Sequence, residues 1–243
     1  MRHLADLADE DLAAAYAYPP GRCLRANFVV SADGAATVNG VSAGLSSPAD
    51  RRVFLLLRNL ADVVVVGAGT VRAEGYGPAR PSKAWRWLRD GRPPTPPIAV
   101  VSARLDLDPA SRLLSAAPPH ARTIVITAAS SPQDRRAELA SCAEVIVAGD
   151  TTVDLHAALR ALADRGRPRM LTEGGPHLFA ELAAAGLVDE LCLTIAPLLT
   201  GPHASRIVAG ALSPPEPLPL ALAHVIEVES YLLCRYTRKT IDT

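Results

Sequence analysis

The chain has 243 residues, of which 49% are hydrophobic, and its 25 basic and 25 acidic side chains give a formal net charge of zero. This length suffices for a sizeable core and fits one large α/β domain better than two small ones. Because the balanced charge creates no long-range positive field, nucleic acid and membrane surfaces are not expected as partners, and a small molecule is favoured.

Residues 1–21 predict a short amphipathic helical leader that ends at the sequence Pro-Pro-Gly. Its several acidic residues do not fit a signal or transit peptide, and no apolar stretch approaches the roughly 18 residues that a membrane span needs. The four cysteines are far apart in the sequence and form neither a C-x-x-C pair nor a cysteine/histidine cluster. These features predict a cytoplasmic protein with reduced thiols and no metal site.

The first strong strand pattern, CLRANFVVS at 23–31, leads into a glycine-rich loop. A helix is then predicted from Pro48, with Ser47 as its N-cap and an apolar stripe from which Arg58 is excluded. The valine run in 61–67 is typical of a strand buried on both faces, and it is followed by the pattern of a short helix.

Strands and helices alternate through the rest of the chain. The further strand patterns lie at 96–102, 122–127, 143–149, 167–175 and 189–199, and the helical patterns at 132–140, 152–166 and 176–186. The last segment, 220–238, alternates apolar and polar residues as a half-exposed pair of strands would. This order predicts an α/β fold with a mainly parallel central sheet, helices on both faces and antiparallel C-terminal strands. The irregular segment 75–97, which holds both tryptophans, is a candidate lid or oligomer contact.

Ligands of open α/β sheets bind beyond the carboxyl ends of the strands, so the loops at those ends are candidate sites. The stretch GAGTVRAEG, which begins at Gly67, has the glycines of a dinucleotide loop without the G-x-G-x-x-G spacing. Ser102 and Arg104 follow the next strand and would suit the 2′-phosphate of NADPH. An ordinary surface turn is an equally good interpretation of these two residues.

The stretch LTEGGPHLFAEL at 171–182 places Glu173 before two glycines and the predicted start of a helix. Glycine lets a ligand approach the backbone closely, and a helix N-terminus attracts anions. A carboxylate that caps the helix is the alternative for Glu173, and a plain turn is the alternative for Asp33-Gly34. The motifs G-x-S-x-G, H-E-x-x-H and H-x-E with P-C-x-x-C are absent, which favours a cofactor that carries its own chemistry.

Three segments carry a family resemblance: NFVVSADG, LLLRNLADVVVVGAGTVRAEG and LTEGGPHLFAELAAAGLVDELCLTIAPLLTG. From about residue 23 to 238 the chain resembles the reductase domain of riboflavin biosynthesis. The resemblance implies a dihydrofolate-reductase-like fold, a homodimer, and reduction of 5-amino-6-(5-phosphoribosylamino)uracil, or a closely related pyrimidine, to its ribitylamino form by NADPH. With only residues 1–21 before a reductase domain at 22–243, a stand-alone reductase without the deaminase domain is expected.

The resemblance also implies roles for individual residues. On the substrate side they are Asn27, Ser42, Arg58, Arg80 and Glu173, of which the two arginines match positions that hold the substrate, through its phosphate. On the cofactor side they are Thr70, Glu74, Ser102, Gly174, Gly175, Pro176, His177 and Leu178, to which the strand-end patterns add Gly67 and Arg104. The two predicted catalytic residues are carboxylates. Glu173 would hold and orient the pyrimidine, and Asp33 would donate a proton or position a water molecule.

One departure from the family pattern leaves the substrate open. Gly44 stands where many members have a tryptophan in the substrate-side loop, and this would reshape or enlarge the pocket. A reductase of a pterin or another heterocycle is therefore one alternative, and a non-catalytic NADP-binding module is another. The C-terminal strands, together with 189–199, are predicted to form the edge at which two subunits meet.

Overall fold

The computed structural model describes residues 2–201, 204–210 and 216–239. Residues 1, 202–203, 211–215 and 240–243 lie outside this description, and so do the parts of the predicted leader and reductase domain that they form. The strands of the described chain are β1 (Arg2–His3), β2 (Cys23–Ser31), β3 (Val63–Gly67), β4 (Ile98–Val101), β5 (Ile124–Thr127), β6 (Glu144–Val147), β7 (Arg169–Thr172), β8 (Glu190–Ala196), β9 (Leu220–Val228) and β10 (Tyr231–Arg238). The α-helices are α1 (Asp9–Ala15), α2 (Pro48–Leu60), α3 (Ala68–Ala73), α4 (Arg112–Ser115), α5 (Gln133–Cys142), α6 (Leu155–Asp164) and α7 (Pro176–Ala184).

All these strands form one sheet in the order β1-β9-β10-β8-β2-β7-β3-β4-β5-β6. The strands from β8 through β2 to β6 pair in parallel, whereas β10 is antiparallel to both β8 and β9. Parallel neighbours require crossover connections, and the helices between the strands supply them. The predicted α/β class with antiparallel C-terminal strands is thus confirmed. The predicted dimer edge at 189–199 is wrong in one respect, because β8 lies inside the sheet between β10 and β2.

Apolar side chains form a core on each face of the sheet. Helices α1, α2, α4 and α5 cover one face, where Leu12, Leu56 and Leu57 are fully buried. Helices α6 and α7 cover the other face, where Leu162 and Leu182 are fully buried. Each β3 valine is buried because successive side chains of a strand point to opposite faces, and both faces are covered.

The leader is packed into this fold. Besides the predicted helix, now α1, it contributes β1, which pairs in parallel with β9, and it buries Leu12 and Tyr16 in the core. Two arginines of the sheet donate to carbonyls at the end of α1: Arg25 to Tyr16 at 2.6 Å and Arg235 to Ala15 at 2.8 Å. These bonds satisfy carbonyls that a helix leaves without partners at its C-terminus.

The helix that leads to the site begins as the sequence predicts. Ser47 Oγ accepts a hydrogen bond from the Asp50 amide at 3.1 Å, which confirms the N-cap of α2. At its other end, α2 is covered by the irregular segment 75–97. Trp85 of this segment is buried, and Arg89 donates to the Ala61 carbonyl at 2.6 Å. The segment therefore packs along α2, with Arg89 at the C-terminal end of the helix and residues 76–80 and 94–96 beside the first cavity described below.

Candidate active site

Two cavities lie at the carboxyl ends of the parallel strands. The first has a volume of about 720 Å³ and lies between α2, α3, the segment 75–97 and the loop that follows β7. The second has a volume of about 690 Å³ and lies between α3, the turn after β4, α6 and α7. His177 lines both cavities, so they meet at the start of α7.

Glu173, the residue that follows β7, lines the first cavity as part of a cluster with Arg58 and Tyr76. Arg58 donates from Nε to Oε1 and from Nη2 to Oε2, each at 2.7 Å, and the Tyr76 hydroxyl donates to Oε2 at 2.6 Å. The side chain of Glu173 is only 4% exposed. Glu173 therefore does not cap α7, and the helix-capping interpretation is wrong.

The cluster explains why Arg58 stands off the apolar stripe of α2. Its guanidinium lies 4.3 Å from the centroid of the Phe54 ring and forms the bidentate pair with Glu173. Burial acts to lower the pKa of Arg58, but the charge and hydrogen bonds of Glu173 outweigh it, so the pKa lies above its usual value. Burial and the charge of Glu173 raise the pKa of Tyr76 well above its usual value. At neutral pH the cluster thus holds a guanidinium and a protonated phenol around the carboxylate.

Asp33 has different surroundings. It is exposed, does not line the first or the second cavity, and accepts hydrogen bonds from the Ser31 hydroxyl and from the amides of Thr200 and Gly201. The bonds from Ser31 and then Gly201 lower the pKa of Asp33 from 3.8 to about 2. Gly34 has a φ of +87°, which supports the turn interpretation. This geometry does not favour the predicted role of Asp33 as a proton donor.

The two glycines after Glu173 allow neighbouring side chains to pack closely against the backbone. The Gly174–Gly175 peptide bond is cis, and Gly174 has a φ of +84°. A Cβ on Gly174 would lie 2.9 Å from Phe28 Cε1, and a Cβ on Gly175 would overlap with Thr70 Oγ1. Only glycine fits both positions. Gly175 is the N-cap of α7 and provides no side-chain cap for the amides of the first turn, where His177 lines both cavities.

The second cavity brings together residues that are distant in the sequence. Gly67, Ser102, Arg104, His177 and Leu178, all predicted on the cofactor side, line it. Ser102 is buried, with its amide bonded to the Ile126 carbonyl at 2.9 Å, whereas Arg104 is exposed. A hydroxyl and a guanidinium therefore lie beside the start of α7.

The remaining predicted residues fall into two groups. The first cavity is lined by Ser42, Arg80, Thr70, Glu74 and Pro176. Within it, the Glu74 carboxylate accepts hydrogen bonds from the Ser42 amide and hydroxyl, both at 3.2 Å. Asn27 lines neither cavity, although its neighbour Phe28 lines the first and packs on Phe179.

The loop that contains Gly44 does not enlarge the first cavity. Gly44 does not line that cavity, and a Cβ there would lie 2.8 Å from Val38 Cβ. The glycine is explained by the tight loop in which Val38 and Val41 bridge.

Sequence reasoning missed several residues of the first cavity. Arg51 and Arg112 add two guanidiniums to those of Arg58 and Arg80, against the carboxylates of Glu74 and Glu173. The position of Arg51 on α2, one turn before Leu55 and two turns before Arg58, both of which line the cavity, was a usable signal. Arg112 and Tyr76 had none, because Tyr76 lies in an irregular segment and Arg112 opens α4, a helix of four residues that is too short to show a period.

The described residues contain no group of three or more histidine, cysteine, aspartate or glutamate side chains that could hold a metal ion. They also contain no helix that is long and apolar enough to cross a membrane.

Solved structures with a similar fold include proteins named as reductases or reductase-like. A pyrimidine reductase-like protein from Corynebacterium diphtheriae superposes with a TM-score of 0.82 and 30% sequence identity, over 90% of this chain and 93% of that one. The riboflavin biosynthesis reductase Rib7 of Saccharomyces cerevisiae shares the fold, with a TM-score of 0.66 and 15% identity over 91% and 92% of the two chains. The fold and the joined cavities thus define an α/β reductase, a class that works with a nucleotide cofactor.

The family follows from the sequence comparison. The model of the RibD C-terminal domain matches residues 22–233, and the chain belongs to this family. A relative from Archaeoglobus fulgidus, named 2,5-diamino-6-ribosylamino-4(3H)-pyrimidinone 5′-phosphate reductase, is 33% identical over 166 residues, which are 68% of this chain and 74% of the relative. The riboflavin biosynthesis protein RibD of Mycobacterium tuberculosis is 31% identical over 72% of this chain and 42% of its own length.

Proposed function

We propose that this protein is an NADPH-dependent reductase that converts a phosphoribosylamino-pyrimidine to its ribitylamino form in riboflavin biosynthesis. The observation that carries this proposal is the junction of the two cavities, where Glu173 ends one strand beside the uncapped start of α7. The relatives that bear the name of such a reductase support the choice of substrate.

The first cavity suits the phosphorylated pyrimidine. Its arginines outnumber its carboxylates by two, an excess that matches the charge of a phosphate group. Because Arg58 is paired with Glu173, we assign the phosphate to Arg51, Arg80 and Arg112. Glu173 accepts three hydrogen bonds from Arg58 and Tyr76, and its carboxylate keeps a lone pair for an amide or amino donor of a neutral pyrimidine ring.

The second cavity suits NADPH. Gly67 and Gly69 line this cavity, and a Cβ on Gly69 would meet no protein atom within 4 Å, so a pyrophosphate can approach the backbone there. The amides at the start of α7, which no side chain caps, provide further donors for it. Ser102 and Arg104 would hold the 2′-phosphate that distinguishes NADPH from NADH. When bound, NADPH supplies the hydride that reduces the ribosyl carbon.

The residues of the chain bind and orient the substrate. Arg58 and Tyr76 fix the Glu173 carboxylate before the substrate arrives, so little reorganisation is needed on binding. Phe28 and Pro176 limit the space between the two ligands and exclude water from it. Both carboxylates of the first cavity already accept hydrogen bonds, Glu74 from Ser42 and Glu173 from Arg58 and Tyr76, so we assign the proton that the product gains to solvent.

The proposal is tested by mixing the purified protein with NADPH and with each candidate substrate while the loss of nicotinamide absorbance is followed. We expect turnover with 2,5-diamino-6-ribosylamino-4(3H)-pyrimidinone 5′-phosphate or 5-amino-6-(5-phosphoribosylamino)uracil. Turnover with dihydrofolate alone would select the pterin alternative, and tight NADPH binding without any turnover would select a non-catalytic module.

The role of Glu173 is tested by Glu173→Gln. This change keeps the shape but removes the charge that Arg58 balances, and we expect kcat/KM to fall by roughly 10²-fold, the effect of losing a charged hydrogen-bond partner at the site. Glu138→Gln, on the exposed side of α5 and outside both cavities, is the matched control and should leave kcat and KM unchanged. Unchanged turnover and substrate affinity in Glu173→Gln would refute the assignment.

We also propose that the protein is a cytoplasmic homodimer. Leu220 and Leu222 of β9 are 41% and 56% exposed, which supports a contact made through the outer C-terminal strands. Three of the four free cysteines are buried and need no oxidising compartment. Sedimentation at micromolar concentration checks the dimer, and a monomer would contradict it.

A further inference from the structure

The opposite edge of the sheet, where the parallel strands begin, has a cavity of its own. It has a volume of about 650 Å³ and is lined by residues just before or at the start of β3, β5, β6 and β7, among them Asp62, Arg122, Glu144 and Arg169. We call it the amino-edge cavity. The cavities of the proposed reductase site share no lining residue with it.

The amino-edge cavity is strongly basic. It is lined by six arginines and two carboxylates, whereas the whole chain has equal numbers of basic and acidic residues. The arginines are Arg89, Arg92, Arg122, Arg165, Arg167 and Arg169, and the carboxylates are those of Asp62 and Glu144. The arginines of this concave site therefore outnumber its carboxylates, and the site carries an excess of positive charge.

Part of this arginine set has a structural function. Arg89 donates to the Ala61 carbonyl at 2.6 Å, and Arg92 donates to Leu60 and Asp62, both at 3.1 Å. These contacts satisfy the C-terminal end of α2 and its partial negative charge. Arg169 forms a bidentate pair with Asp62. These contacts account for the presence of Arg89, Arg92 and Arg169 in the cavity without any bound ligand.

The other three arginines keep donors that the described residues do not use. Arg165 pairs through Nε with Glu144 Oε1 at 3.0 Å and donates from Nη1 to the Ala161 carbonyl at 2.7 Å, which leaves Nη2 available. Arg167 Nη2 donates to Glu144 Oε2 at 3.1 Å, but Arg167 Nη1 is buried and has no hydrogen-bond partner among the described residues. Both bonds of Arg122 within these residues come from Nη2, which leaves Nε and Nη1 available. A buried, charged donor without a partner is costly, so a partner from outside the chain would be favoured.

The crowding of cations adds to this effect. Burial and the charge of Arg92 lower the pKa of Arg89 to about 10, and burial and the charge of Arg169 lower the pKa of Arg92. An anion in the cavity would offset this repulsion.

We propose that the amino-edge cavity binds a small anion of the pyrophosphate type, with Arg122, Arg165 and Arg167 as its ligands. The guanidinium fork matches two oxygens of a phosphate group, and several forks around one cavity match a group with more than one negative charge. The volume also accommodates a ligand of this size. The inference stands independently of the proposed reductase function.

Calorimetric titration of the full chain with sodium pyrophosphate tests the proposal. We expect saturable binding that Arg167→Gln and Arg122→Gln each weaken by roughly tenfold or more, the effect of one charge-assisted hydrogen bond. Arg22→Gln and Arg160→Gln, which are exposed and line none of the three cavities described, are matched controls and should bind pyrophosphate as the unmodified chain does.

A parallel titration with ADP distinguishes two sources of the same chemistry. Only the part of the binding that Arg122→Gln and Arg167→Gln weaken belongs to the amino-edge cavity. If that part is tighter for ADP than for pyrophosphate the ligand is a nucleotide, and if it is equal or weaker the phosphate chain alone is recognised. Arg122 is exposed, so Arg122→Gln keeps the test valid should Arg167→Gln fail to fold. Binding that is unchanged in both variants, binding that only the control variants lose, or no saturable binding at millimolar pyrophosphate would each overturn the proposal.

Discussion

Asp33 and Glu173 are both carboxylates at strand ends, yet their surroundings give them different chemistry. Glu173 is buried against a guanidinium and a phenol inside the first cavity. Asp33 is exposed and holds the loop at Thr200 and Gly201. Motif matching treats them alike, because the contacts that separate them come from residues more than 90 positions away.

Asp33→Asn separates a loop-holding role from proton donation. A general acid contributes roughly 10²- to 10⁴-fold to a rate, whereas we expect kcat in this variant to fall by less than about tenfold. We also expect faster proteolysis near Thr200, because the amide side chain accepts fewer hydrogen bonds. A loss above 100-fold with an unchanged circular dichroism spectrum would restore the proton-donor role, on the scale of general acid catalysis.

The same residue sets an acid limit for its loop. Because folding lowers the pKa of Asp33 from 3.8 to about 2, its carboxylate favours the folded loop above pH 3.8. This contribution is lost as the pH falls from 3.8 toward 2. The difference in stability between the unmodified chain and Asp33→Asn should therefore shrink over that interval, as acid titration followed by fluorescence would show. A difference that does not change with pH would contradict the assignment.

A substitution at Gly69 distinguishes an effect on folding from an effect on cofactor binding. It lies in α3 and lines the second cavity, and a Cβ there would meet no protein atom within 4 Å. Gly69→Ala should leave the thermal stability unchanged or raise it, by up to about 1 kcal/mol, because alanine restricts the unfolded chain. We expect weaker NADPH binding by fluorescence titration, since the methyl group enters the space assigned to the cofactor. Unchanged affinity would place the cofactor elsewhere.

At the scale of elements, a buried ion cluster joins α1 to the C-terminal half of the sheet. Glu190, which opens β8, accepts from Arg25 Nε at 2.7 Å and from Arg235 Nη2 at 2.5 Å. Both arginines also bond the carbonyls at the end of α1. Arg25 is fully buried, so its charge depends on Glu190.

Glu190→Ala should lower the free energy of unfolding by about 3–5 kcal/mol, because it leaves a buried guanidinium without its carboxylate. Urea unfolding followed by circular dichroism measures this. Glu138→Ala removes an exposed partner of Arg135 and is the matched control, with an expected loss below about 0.5 kcal/mol. Equal effects of the two changes would contradict the structural role of the cluster.

Periodicity predicted the central elements well, since helices and buried strands differ in the spacing of their apolar residues. It missed β1, which has two residues, and α4, which has four, because such short elements show no period. It identified Glu173 and Arg58 separately but not their pair, which joins positions 115 residues apart. Arg58 was instead attributed to the phosphate. Contacts of this range depend on the sheet order, which local patterns do not contain.

At the scale of the whole molecule, the leader adds a strand to one edge of the sheet and apolar side chains to the core. The family match begins at residue 22, but Leu12 and Tyr16 are almost fully buried, and β1 covers part of β9. Burial of each such side chain contributes roughly 1.5–3 kcal/mol, and a whole domain has about 5–15 kcal/mol of stability. The leader therefore accounts for a large share of it.

A chain that begins at residue 22 should accordingly be largely unfolded or aggregated at room temperature, as calorimetry and light scattering would show. A synthetic peptide of residues 1–21, added in trans, should restore part of the unfolding transition. If the shortened chain melts at the same temperature as the full chain, the leader is an accessory and not part of the domain.

The pair formed by Arg58 and Glu173 has a consequence for inhibitor selectivity. Drugs that bind as protonated, cationic rings gain affinity from a carboxylate whose charge is not yet balanced. Here Arg58 already balances it through two hydrogen bonds of 2.7 Å. Antifolate-like cations should therefore bind this protein poorly, and neutral ring systems that carry an anionic tail should be the better starting compounds for an inhibitor.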